Sequence, residues 1–174
     1  MYHNQMPMNV LQMDMVNGMK NMPKDETQIP MMPIMGPKTF DEILQDIAKA
    51  IVDESTAAEF YSRLMKQAPN ALHREFIDHA YEDERSHRQN FMRLYKYYTN
   101  KLPQYSLSPI QYPSYKDGIL QALKGEIEAA EFYRDVQLST ADQLIKDTFY
   151  LAMIDEMGHA TQFSTLYNTL RDRM

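Results

Sequence analysis

From Thr39 onward, apolar residues recur at intervals of three and four. Ile43, Ile47, Ala50 and Ile51, then Ala57, Ala58, Tyr61 and Leu64 or Met65, keep a helical period to about Gln67. Thr39, with Glu42 three residues on, is a capping-box pattern that starts this helix. Pro69-Asn70 breaks the run and opens the next helix, and so short a link predicts antiparallel neighbours. The second stretch, from about Asn70 to Thr99, places Leu72, Phe76, Ala80, Glu84, His87, Phe91, Leu94 and Tyr95 on one face. Residues 101–113 lose the period and carry Pro103, Pro109 and Pro113 among Ser and Tyr, which predicts a long loop. A third helix is expected from near Ser114 to about Leu138. A fourth follows from near Thr140 almost to the end, through Leu144, Ala152, Glu156, His159, Phe163, Leu166 and Tyr167. The pattern is that of an all-α chain made of two helix pairs and a long connection.

The apolar stripes contain polar residues that do not belong in a core. Glu84 and His87 lie on the stripe of the second helix, and burying an unpaired carboxylate there costs several kcal/mol. The same E-x-x-H recurs as Glu156 and His159, 72 residues later. Glu54 and Glu126, and Tyr61 and Tyr133, are separated by the same 72 residues. Residues 54–102 set over 126–174 without a gap give 14 identities in 49 positions, concentrated on Glu, His, Tyr and small or aromatic residues, so duplication is the simplest account.

Glu and His three apart share a helix face one turn from each other and can grip one metal ion. Four carboxylates (Glu54, Glu84, Glu126, Glu156) and two neutral imidazoles (His87, His159) balance two divalent cations, and oxygen-rich ligation suits iron or manganese. Asp83 and Asp155, each preceding an E-x-x-H glutamate, can take the second N–H of a ligating imidazole. Tyr61 and Tyr133 lie two turns after Glu54 and Glu126, where a buried hydroxyl needs a partner such as a ligand carboxylate. Glu59 and Glu131 are repeated as well but point elsewhere. His73 and His79 have no counterparts in the second half and read as solvated.

Composition separates residues 1–38 from the rest. They hold 10 of the 15 Met and five of the nine Pro, with no sustained period. This reads as an irregular arm, either a plain extension or an adaptable apolar segment that docks on a partner. The arm is neutral, so the net charge of −6 belongs to residues 39–174, and an acidic chain without a basic cluster makes a poor nucleic-acid binder. The absence of Cys excludes disulfides, thiolate nucleophiles, iron–sulfur clusters and Cys-ligated zinc. No run has the length of a membrane helix and no signal-peptide pattern is seen, so a cytoplasmic location is the default expectation.

Two E-x-x-H copies, each with a lone upstream Glu, resemble the ligand inventory of ferritin-like four-helix bundles. The E-x-x-A-x-x-x-Y pattern and the Gly125-Glu126 pair make residues 39–174 most similar to the rubrerythrin branch. The resemblance implies a ferritin-like bundle over 39–174 behind the 1–38 arm, holding two iron ions or, alternatively, two manganese ions. It implies that Glu84 and Glu156 bridge the metals, Glu54 and Glu126 are terminal or shifting carboxylates, and His87 and His159 cap them. It also implies that Asp83 serves His159 and Asp155 serves His87, across the two pairs. The expected chemistry is reaction with H2O2 or O2, supplied by a separate electron donor, in a homo-oligomer such as a dimer. The alternative is a structural or shell-associated protein whose metal is a staple and whose Met-rich arm mediates assembly. The chain departs from the branch in having no Cys-rich electron-transfer domain, and in carrying Ala129 where an extra Glu often stands.

Overall fold

The computed structural model describes residues 34–170, and these form four helices: α1 (Phe40–Met65), α2 (Ala71–Thr99), α3 (Tyr115–Leu138) and α4 (Gln143–Thr169). Each start is fixed by a side-chain cap. Thr39 and Glu42 form the expected capping box, and Asn70, Ser114 and Asp142 accept from first-turn amides of the other three helices. α2 ends on Asn100 in the left-handed region (φ 55°), a conformation that Asn tolerates better than most residues. The short links pair α1 with α2 and α3 with α4. α2 also packs on α4 and, more loosely, α1 on α3.

Residues 100–114 form the expected non-helical crossover, and α1 anchors it. Tyr105 meets the Ser55 hydroxyl, the Arg63 guanidinium donates to the Ile110 carbonyl at 2.7 Å, and Gln67 donates to the Tyr112 hydroxyl. Gly118 lets α3 approach this corner: a Cβ there would sit 2.6 Å from Leu64 Cδ1. Of the residues read as the arm, those described lie at the far end of α3. Met35 and Lys38 donate their amides to the carbonyls of Leu138 and Ser139, giving partners to the last turn. The remainder of the arm, residues 1–33, lies outside the described residues.

The interior is built as two apolar clusters. One gathers Ile43, Ile47, Ile51, Phe91, Tyr133 and Phe149; the other gathers Phe60, Tyr61, Leu64, Ile77, Ile119 and Phe163. Between them, half-way along the bundle, lies a polar layer.

Three register details differ from the sequence reading. The buried line of α2 runs through His73 and Ile77, whereas Leu72 is exposed and Phe76 half-buried; on α4 it begins at Ile145, with Leu144 exposed. His73 is therefore not solvated. It is 1 % exposed, and its two ring nitrogens meet the hydroxyls of Tyr115 (2.8 Å) and Thr169 (2.9 Å), tying α2 to α3 and α4.

Candidate metal centre

The polar layer consists of the six residues singled out by the repeat. Glu54 comes from α1, Glu84 and His87 from α2, Glu126 from α3, and Glu156 and His159 from α4. All lie on interior turns of long helices, so their backbones are fixed by the helical hydrogen-bond ladder. The four carboxylates are at most 2 % exposed, and the imidazoles 6 % and 1 %.

Two overlapping sets of donor atoms emerge, each within 4.8 Å of one another: Glu54, Glu84, His87 and Glu156, and Glu84, Glu126, Glu156 and His159. Each set takes one lone Glu and one His, and both share Glu84 and Glu156. Two sets with two carboxylates in common could hold two cations.

Hydrogen bonding around the layer orients it. His87 Nε2 lies 3.0 Å from Asp155 and His159 Nε2 lies 3.0 Å from Asp83, so each imidazole donates outward and turns Nδ1 inward. His87 Nδ1 approaches Glu156 Oε1 at 3.1 Å and Glu54 Oε2 at 3.7 Å, yet all three atoms lack a hydrogen-bond partner. Buried polar atoms are rarely left so. Donor atoms converging at these distances without a partner are what a shared cation would satisfy once it displaces the imidazole proton, and the donor set is chemically suited to one. The phenol of Tyr61 donates to Glu126, and that of Tyr133 to Glu54. Each tyrosine thus holds the lone glutamate of the opposite half. Glu59 pairs with Arg63 away from the site, and Glu131 is exposed.

The titration pattern of the metal-free layer follows from burial and crowding. Burial, then the Glu156 and Glu54 charges, raise Glu84 well above the ordinary carboxylate value; burial and Glu156 raise Glu126. Burial would also raise Glu156, but its neighbours Glu126, His159 and His87 outweigh it and lower that group. Burial opposes charge on the imidazoles, yet the surrounding carboxylates prevail and raise His87 to about 11 and His159 to about 10. Both tyrosines are pushed up by burial and the adjacent carboxylates, so they remain phenols and donors.

Solvent reaches the layer through a cavity of about 290 Å³ between α1 and α3. Ala57, Gly125 and Ala129 keep its wall thin beside Glu54 and Glu126. Replacing Tyr133 by Phe should free Glu54 from this phenolic donor while leaving the core packed. Metal affinity should fall by about tenfold, the lower end for loss of a group supporting a ligand. Equilibrium dialysis against the wild type measures this.

The family model described as Rubrerythrin matches residues 42–167. The uncharacterized protein YhjR of Bacillus subtilis (strain 168) is 30 % identical over 125 residues, covering 70 % of this chain and 83 % of YhjR. Among solved structures, a hypothetical protein from Pyrococcus furiosus superposes with a TM-score of 0.66 at 23 % identity, over 79 % of this chain and 97 % of its own. Rhodobacter capsulatus bacterioferritin, solved with a metal-free dinuclear site and haem iron, superposes with a TM-score of 0.62 at 21 % identity, over 78 % and 89 % of the two chains. At these identities the two structures establish the ferritin-like fold. No helix among the described residues is long and apolar enough to cross a membrane.

Proposed function

The chain belongs to the rubrerythrin family, and we propose that its bundle holds two iron ions and uses them to reduce peroxide or O2 at the expense of Fe(II). The observation that carries this reading is the pair of four-residue donor sets sharing Glu84 and Glu156. Glu54 and His87 complete one site, and Glu126 and His159 the other. Oxygen-rich donor sets with one nitrogen each favour iron or manganese over zinc held by thiolates.

When bound, iron would supply a redox couple of one electron per ion, enough for one H2O2 and two protons to become two waters. The residues of the chain do the rest. Asp83 and Asp155 hold the imidazoles with Nδ1 inward. Tyr61 and Tyr133 hold Glu126 and Glu54 at the mouth of the cavity, where a small oxidant enters. The two apolar clusters close the layer from both ends, so bulk water does not compete along the bundle axis. With no Cys in the chain, the bundle has no thiolate electron store of its own, and a separate donor returns it to Fe(II).

The test is anaerobic loading with two equivalents of Fe(II), followed by one equivalent of H2O2 in a stopped-flow spectrometer. Oxidation of both equivalents, much faster than for free Fe(II) in the same buffer, is the expected outcome. Iron-loaded protein inert to both H2O2 and O2 would contradict the redox reading and favour a metal that only staples the helices.

A further inference from the structure

α4 is apolar on both of its sides. Its buried line runs through Phe149, Ala152 and Phe163, while Tyr150, Ile154 and Met157 stand on the opposite side in solvent. A helix that is apolar all round is one that is covered all round. The duplication supplies an internal control. On α2, 72 residues earlier, the same three outer positions are Asp78, Glu82 and Arg85, all exposed. The bundle is therefore satisfied by charges at these places, and the apolar set on α4 does not serve its own core.

Two further features lie beside this line. A groove of about 350 Å³ between α3 and α4 is lined by Ile127, Ala130, Met153 and Met157, with Glu131 and Arg134 of α3 also in its wall. On the other flank stands Gly158, exposed in the interior of α4, where glycine is a poor helix former. A Cβ there would meet nothing within 4 Å, and the first half carries Ser86 at this place. The described chain makes no use of the missing side chain, whereas a backbone or side chain approaching closely from outside would.

We propose that this face is where two copies of the chain pair, α4 against α4 and antiparallel, about a two-fold axis near Ile154. Area, charge and shape select a second copy as the occupant. Ile127, Tyr150, Leu151, Ile154 and Met157 are each 45–64 % exposed. At roughly 200 Å² for a large side chain, the five leave roughly 500 Å² in water. That is within the range of about 300–600 Å² for the largest patch on a monomer. Two such faces together reach about 1,000 Å², where specific interfaces begin. The outer line of Tyr150, Ile154, Met157 and Thr161 carries no charge, so it meets its own copy without repulsion. The two-fold then reverses the order of residues. Tyr150, four residues before the axis, comes level with the groove beside Met157 of the other copy, where its ring finds apolar walls and its hydroxyl finds Glu131 or Arg134. Leu151 comes level with the notch at Gly158. Glu131 and Arg134, one turn apart on α3, face each other across the axis with opposite charges. The pairing needs no metal and stands independently of the dinuclear reading.

The test is sedimentation of the full chain, 20.5 kDa as a monomer. Wild type should sediment as a dimer at micromolar concentration. Ile154→Glu installs the type of residue that α2 carries at exposed Glu82, so the bundle should fold with its helical content unchanged. Its dimer should weaken about a hundredfold or more, because two like charges meet at the axis. The chain has no Cys, so Ile154→Cys introduces a single thiol. Oxidised with diamide, that variant should form a disulfide between two copies and run at twice the monomer mass on a non-reducing gel. Glu82→Cys, at the matching place on α2, should not. A wild-type monomer at micromolar concentration would overturn the proposal and leave the face to a different protein. A dimer that Ile154→Glu leaves intact, or that Glu82→Cys cross-links as readily as Ile154→Cys, would overturn it as well.

Discussion

Glu156→Gln should fold, lose tight metal binding at both sites, and lower peroxide-driven Fe(II) oxidation by about a hundredfold or more, at least the upper range for disturbing a ligand's surroundings. The change is nearly isosteric and leaves the two apolar clusters that flank the layer untouched. Both donor sets contain Glu156, so one substitution removes a donor from each, whereas loss of Glu54 or Glu126 removes one from a single set. The same carboxylate is a main source of the raised His87 and His159 values, so in the metal-free variant burial should draw both imidazoles downward. NMR titration of the ring protons reads that shift separately from metal binding. In the wild type, metal at a thousandfold excess over Kd stabilises by about 4 kcal/mol per site, or roughly 10 °C per site in melting temperature for a domain of this size. In Glu156→Gln that increment should largely vanish. A variant that retains two equivalents of iron and wild-type turnover would show that Glu156 is not shared between the sites.

Much of this arrangement was legible in the sequence because duplication printed it twice. The helical period locates four helices, and the paired Glu and His on their apolar stripes identify the layer between the two cores. Asp83 and Asp155 bond to the histidines expected of them, across the two pairs. Other features have no one-dimensional signal. The exchange of Tyr61 and Tyr133 between halves depends on how the pairs face each other, since each tyrosine lies in sequence nearer the glutamate it does not touch. His73 was obscured by its own polarity: a histidine beside Leu72 shifts the apparent stripe by one residue, and its partners Tyr115 and Thr169 lie on other helices. His79 reads as solvated in sequence and is largely exposed, yet its approach to His159 appears only when α2 and α4 are packed together.

The metal-free protein should be most stable in mild acid and lose stability as the pH rises. Glu84, Glu126, His87 and His159 all have raised folded values, so the native layer holds protons that the unfolded chain releases. Their contribution is complete below the ordinary values of 4.5 for Glu and 6.5 for His. It fades as pH climbs towards the folded values, about 11 for His87 and about 10 for His159. Glu156 acts in the opposite sense: its lowered folded value contributes above 4.5 and is lost in strong acid. Metal changes the sign of the trend. Two divalent cations carry the same charge as one proton on each of the four raised groups, and binding must displace those protons, so metal affinity should increase with pH. Melting curves with chelator and with metal should therefore diverge between about pH 5 and about pH 8. A metal-free melting temperature that rises steadily across that range would contradict the protonated layer.

The central claim, two metal ions held jointly by Glu84 and Glu156, is tested most directly by anomalous scattering at the iron edge from crystals loaded with Fe(II) without oxygen. Two peaks are expected in the buried layer, about 3.5–4 Å apart as in other two-metal sites. One should lie against Glu54 and His87 and the other against Glu126 and His159, with Glu84 and Glu156 touching both. Loaded crystals with no peak among these six residues, or with iron bound only elsewhere on the chain, would contradict the account.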